Sequence, residues 1–318
     1  MQRPEEQSRP VLVIAGASGV VGTHLIHHAL ERYDIRMLTR RSNVQAPAGV
    51  TPVMWNPTAA KEGDEGALRE LGEALSGAAA LVNLAGASIA EGRLGEDHKR
   101  RVLESRVDST VTLLEAHKRS VAPPSVWVQG SATGYYGDAG ERELTEDAPP
   151  AEDFFLADVC KLWEAAAGDA NGARLIVSRT GLVLAKDAPA WQKMLLPIKL
   201  FVGGPLGDGE QWYPWIDADD LANALLFLIE NSGSRGPYNL TAPEPVRQIE
   251  LAERAARRLG RPAIFPTPAF VLRLALGDVA DALLLPSAKA VPKKLEAEGF
   301  AFERAHIDAE LAKLLGVG

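Results

Sequence analysis

The sequence predicts an α/β fold, a doubly wound parallel sheet covered by helices on both faces, with a smaller and mostly helical C-terminal lobe. Three observations carry this. Short β-branched runs alternate with helical patterns through the first 180 residues, a glycine-rich turn joins the first run to the first helix, and beyond residue 180 the alternation gives way to helical stretches broken by Gly and Pro. With 318 residues, 46% of them hydrophobic, the chain can fill both cores.

VLVIAG (11–16) reads as the first strand, and VVGTHLIHHALER (20–32) follows with apolar residues at 21, 25, 26, 29 and 30, a helical period. IRMLTR (35–40), TPVMWN (51–56), ALVNLAG (80–86), SVWVQGS (125–131) and ARLIVSR (173–179) read as strands two to six, most of them separated by helical patterns. This places a nucleotide-binding domain at 9–180. The lobe spans 181–318, with helical stretches at 190–200, 217–230, 247–259 and 268–285 and a small terminal domain from about 261. Ligands of such sheets bind beyond the carboxyl ends of the strands, so the lobe is expected to cover that edge.

A net charge of -8 argues against nucleic acid, and no apolar run approaches the roughly 18 residues of a membrane span. The opening MQRPEEQSRP is unlike a signal peptide, and Cys160 is the only cysteine, which excludes an internal disulfide and fits a reducing, cytoplasmic setting. A small-molecule substrate is the expected partner, with the chain a monomer or homodimer.

GASGVVG (16–22) spaces Gly16, Gly19 and Gly22 where a strand ends and a helix begins. Glycine lets backbone approach a pyrophosphate, and the free N–H groups of the helix N-terminus bind its charge. An NAD site places an acid about 20 residues further on; here Thr39, Arg40 and Arg41 stand there, and two guanidinium groups suit a 2′-phosphate. NADP(H) is the expected cofactor. His24, His27 and His28 lie opposite the apolar face of the first helix and read as solvated, so no metal site is expected.

These features resemble the short-chain dehydrogenase/reductase superfamily in its extended or atypical branch, the NAD-dependent epimerase/dehydratase type with a Rossmann fold. GASGVVG, NLAG (83–86), SATGYYGD (131–138) and WIDADDLANAL (215–225) carry the resemblance. NLAGASIAEGRL, SRVDST, FLADVCKLWE, LPIKLFVGGPLGDGEQWYPWIDADDL, YNLTAPEPV and VPKKLEAEGF narrow it to a bacterial epimerase-family group with a C-terminal domain of unknown function. The resemblance implies that Gly16, Ser18, Gly19, Val20 and Gly22 line the pyrophosphate, Arg40 and Arg41 the 2′-phosphate, and Leu84, Ala85 and Gly86 the adenosine and ribose. It also makes Ser131 the active-site hydroxyl and Lys161 the lysine that binds the nicotinamide ribose.

The superfamily's tyrosine is missing: the residue four before Lys161 is Ala157. Tyr135 is the expected substitute acid. Tyr136 either reaches the site, lining the substrate, or packs its ring in the turn before Gly137. Asp158 is a weaker candidate, and Cys160 reads as a small buried hydrophobe. Of the basic residues after NLAG, Arg93, nearest the strand end, is expected to clamp substrate, whereas Lys99 and Arg106 read as a charged helix face. Gly181 and Leu182, following Arg179, would offer backbone to the nicotinamide, and Lys199 and Trp215 would line the substrate side. The expected function is an NADP(H)-dependent oxidoreductase or epimerase-type enzyme acting on a small polar substrate. The alternative is a non-catalytic NADPH-binding or sensing protein on the same fold; nucleotide-sugar modification without net redox is a third class.

Overall fold

A computed structural model describes residues 9–316. Seven strands, β1 (Val11–Ala15), β2 (Asp34–Thr39), β3 (Val50–Met54), β4 (Ala78–Asn83), β5 (Val126–Ala132), β6 (Arg174–Thr180) and β7 (Gly236–Leu240), form one parallel sheet. Their order is β7-β6-β5-β4-β1-β2-β3. The chain runs outward from β1 to β3 and then returns to β4, so β1 and β4 flank the switch point where a crevice opens.

Side chains alternate across β1, with Leu12 and Ile14 on one face and Val13 and Ala15 on the other, and each face is covered by helices. The first core buries Leu25 and Ile26 of α1 (Val20–Ala29) with Leu221, Leu225 and Leu228 of a helix at Ala218–Glu230. The second buries Leu71 and Leu75 of α2 (Glu65–Leu75), Leu113 of α3 (Glu96–Arg119), and Trp127. Beside α3 lies α4 (Phe155–Ala166). The lobe has its own core, where α5 (Pro189–Lys199) meets α7 (Gln248–Leu259) and α9 (Ile307–Leu315) through Trp191, Leu195, Leu251, Ile307 and Leu311.

The boundary expected at 180 is not a structural one. The helix at 218–230, α6, packs on α1, and Gly236–Leu240 pairs with β6 as the edge strand, so the chain returns to the sheet after entering the lobe. β7 is not among the strands expected from the sequence, since its Gly-Pro start carries a turn signal rather than a β-branched run. The stretch 268–285 is also not one helix: α8 (Ala269–Leu276) stops at Gly277, whose φ of 62° breaks it before a single π turn.

Of the three histidines of α1, His27 is exposed as expected, whereas His24 and His28 are engaged. His24 Nδ1 and His28 Nε2 lie 2.7 and 3.1 Å from Asp219 Oδ1 on α6, and Lys313 of α9 donates to Asp219 Oδ2 at 2.7 Å. Burial alone would raise the Asp219 pKa, but Lys313, His24 and His28 outweigh it and hold the carboxyl far below its usual value. Lys313 also reaches Asp217, the N-cap of α6, and so ties the last helix to the sheet domain.

Candidate active site

The turn after β1 builds the crevice. Gly16 has φ 82°, and a Cβ there would sit 2.5 Å from the Leu84 carbonyl oxygen, so only glycine lets this turn lie against the β4 loop. A Cβ on Gly22 would come 2.6 Å from the Ala17 backbone. Around Gly19 there is room: the nearest atom to a Cβ would be Gly16 O at 3.4 Å. Gly19 N-caps α1 with no side-chain cap and no acid in the first turn, leaving backbone donors facing this open side. Such a cradle fits a pyrophosphate, with exposed Ser18 and half-buried Val20 at its rim. Thr39 Oγ1 accepts from Arg41 N at 3.1 Å and shapes the turn after β2. Arg40 and Arg41 are exposed, and neither has an ion-pair partner among the described residues.

At the carboxyl ends of β5 and β6 the sheet register sets Ser131 beside Arg179. Ser131 Oγ donates to Glu164 Oε1 at 2.6 Å, and Arg179 grips both oxygens of that carboxylate, Nε to Oε1 and Nη2 to Oε2, at 3.0 Å each. Burial alone would lower the Arg179 pKa, but Glu164 more than offsets it and the guanidinium stays charged. Its Cζ also lies 3.5 Å from the centre of the Tyr135 ring. Tyr135 is half-buried, and its hydroxyl has no hydrogen-bond partner among the described residues. Sequence reasoning misses Glu164. The signal was present, since Ala157, Lys161 and Glu164 recur at i, i+4 and i+7 and share one face of α4.

Other expected site residues stand elsewhere. Tyr136 is 1% exposed; its hydroxyl donates to Asn239 Oδ1 at 2.7 Å and burial pushes its pKa up to about 12, so it packs the turn and does not line a substrate. Trp215 is fully buried in the lobe core and donates to Glu244 O, which removes it from the substrate side. The N–H groups of Gly181 and Leu182 are bonded to Leu240 O and Pro214 O, so neither can donate to a nicotinamide. Arg93 is exposed and donates to Leu274 O of α8 at 2.7 Å, joining the loop after β4 to the lobe. Lys199 is exposed at the last turn of α5. Lys161 pairs with Asp158 at 2.7 Å, which raises its pKa. Ala157 is fully buried, and Cys160 is buried with its thiol pushed up to about 11 by that burial, so it is no nucleophile.

Among the described residues no group of acids, histidines and cysteine is arranged to hold a metal, and no helix is long and apolar enough to cross a membrane. Residues 12–241 match the NAD dependent epimerase/dehydratase family, and residues 267–314 match a domain of unknown function, DUF1731. An epimerase family protein of Staphylococcus aureus strain N315 is 34% identical over 95% of this chain and 98% of its own. The human epimerase family protein SDR39U1 (isoform 2), solved with NADPH, superposes with a TM-score of 0.83 at 30% identity, covering 96% of this chain and 99% of that one. A nucleoside-diphosphate sugar epimerase of Corynebacterium glutamicum gives a TM-score of 0.73 at 30% identity, over 97% of this chain but 59% of that longer one. With its glycine cradle at the switch point of a parallel sheet and its DUF1731 segment closing the lobe, the chain belongs to the NAD-dependent epimerase/dehydratase family.

Proposed function

We propose that the protein is an NADP(H)-dependent oxidoreductase or epimerase-type enzyme in which Ser131 and Glu164 do the proton work that the family's tyrosine would do. The observation that carries this is the 2.6 Å bond from Ser131 Oγ to a carboxylate clamped by Arg179. Because Ser131 directs its O–H at Glu164, its lone pairs are free to accept from a substrate hydroxyl. In oxidation the substrate proton moves to Ser131 Oγ as the serine proton moves to Glu164; in reduction both moves reverse and the carbonyl oxygen gains the proton. Arg179 holds the carboxylate in place and carries the Tyr135 ring on its face, so Tyr135 is the second group at this edge.

Gly16, Gly19, Gly22 and the N-terminus of α1 would hold the pyrophosphate, with Arg40 and Arg41 on the 2′-phosphate. When bound, the nicotinamide supplies the hydride donor or acceptor. A neighbour solved with NADPH supports this choice of cofactor. NADPH should bind about ten- to hundredfold more tightly than NADH, the worth of one charged hydrogen bond, and Arg40→Ala should remove most of that gap. Equal affinities by calorimetry in the parent would reject it. Glu164→Gln should lower turnover about 10²–10⁴-fold on any carbonyl compound the parent reduces, with NADPH affinity unchanged.

A second reading, a cofactor-binding protein without turnover, draws on Lys161, whose ammonium is held by Asp158, and on the buried Ala157. It predicts that NADPH binds but is not consumed across a broad carbonyl panel.

A further inference from the structure

We infer that Arg106 is the anion anchor of the substrate site, so that the molecule reacting beside Ser131 carries a carboxylate or phosphate group. The inference rests on the function proposed above and names the substrate class for it. Helix α3 brings Arg106 beneath the loop that leaves β4: a Cβ on Gly86 would lie 2.9 Å from its Cζ. On its other side is the Trp163 ring, 5.0 Å away, and the tip of that ring abuts Gly130, the residue before Ser131. The guanidinium therefore lies between the carboxyl ends of β4 and β5, on the Ser131 side of the crevice.

What distinguishes Arg106 is its lack of a counter-charge. Nη1 donates to the Ala87 and Val102 carbonyl oxygens at 3.0 and 2.9 Å. Nε and Nη2 have no hydrogen-bond partner, and no carboxylate lies within ion-pair reach, among the described residues. Burial disfavours the charge and lowers its pKa. A guanidinium used only for structure is satisfied more fully: Arg174 spends two nitrogens on three carbonyl oxygens at the end of α6 and in the loop beyond.

The other cations of the segment are taken. Lys99 is paired with Asp278 at 2.6 Å and with Glu96 at 3.0 Å, Arg100 with Asp97, Arg101 with Glu91, and Arg93 is bonded to Leu274 O. An Arg fork with two unspent nitrogens, Nε and Nη2, matches the planar oxygens of a carboxylate or the oxygens of a phosphate, and a partly desolvated site strengthens that bond. Glycine at 86 keeps the guanidinium close to the loop, because any side chain there would press on it.

The test uses the NADPH-saturated full-length protein, so that the pyrophosphate and 2′-phosphate positions are filled. Sodium oxalate and inorganic phosphate are titrated against a chloride control of matched ionic strength, with melting temperature and calorimetric heat as readouts. The parent should show saturable binding of at least one anion, and Arg106→Met should weaken it about tenfold or more. The anion-free Met variant should melt no lower than the parent, since it loses an uncompensated cation; a purely structural arginine would make it melt lower. Arg106→Lys, which keeps charge but not the fork, should fall between, and it decides the matter with the parent titration if the Met variant does not fold. No saturable response in the parent, or an undiminished response in either variant, overturns the inference. So does a loss of NADPH affinity of more than about tenfold in Arg106→Met, which would make the cofactor's phosphates the occupant. If the parent does not bind NADPH at all, the proposed function fails, while the same titration of cofactor-free protein still reads Arg106.

Discussion

Glu310 of α9 offers a test of how the C-terminal segment is seated. It is fully buried, and no hydrogen-bond donor reaches either carboxyl oxygen among the described residues. Its polar neighbour is the Asp217 carboxylate, and two carboxylates in contact tolerate one charge between them. Burial first, and Asp217 next, push the Glu310 pKa up to about 8; Lys313 and Arg304 pull the other way and lose. In the unfolded chain the same group ionises at about 4.3. Folding therefore takes up a proton between these two values, and stability is lost as pH rises through that window, by about 1.4 kcal/mol per pH unit. Glutamine keeps the shape, cannot ionise, and offers Asp217 an N–H. Glu310→Gln should thus be close to neutral at pH 5 and gain steadily on the parent, up to about 4 kcal/mol by pH 8. Urea midpoints of both proteins at pH 5, 6, 7 and 8 read the difference directly, and titrating groups not in contact with Glu310 cancel in it. A gap that stays the same at every pH would refute the reasoning.

Two further outcomes follow from the packing. Gly19 has φ -79° and an open Cβ direction, so Gly19→Ala should keep the parent's melting temperature while NADPH affinity falls more than about tenfold, because the methyl group stands where a phosphate would approach; unchanged affinity by calorimetry would show that the cradle is not the phosphate site. Removing 261–318 should lower the melting temperature sharply or cause aggregation, since Ile307, Leu311 and Leu314 leave the lobe core and each buried side chain contributes about 1.5–3 kcal/mol; a truncated chain that melts like the parent would make the segment dispensable.

The sequence by itself determined the features that depend on near neighbours. β-branched runs ending in turns mark six of the seven sheet strands, and Gly16, Gly19 and Gly22 mark the cradle, because strand period and turn chemistry act within a few residues. It also showed what was missing, since Ala157 stands one helical turn before Lys161. The tertiary structure alone decided which polar groups meet. Ser131, Glu164 and Arg179 lie 33 and 15 residues apart along the chain and converge because β5 and β6 are neighbours and α4 lies against the sheet beside them. β7 joins the sheet only because α6, packing on α1, carries the chain back to it. In the sequence Arg93 and Arg106 are two cations of one basic segment; folding gives the first a carbonyl on α8 and leaves the second beside Ser131's strand with donors to spare. Whether a charge is spent or available depends on partners distant in sequence, and those are set by packing.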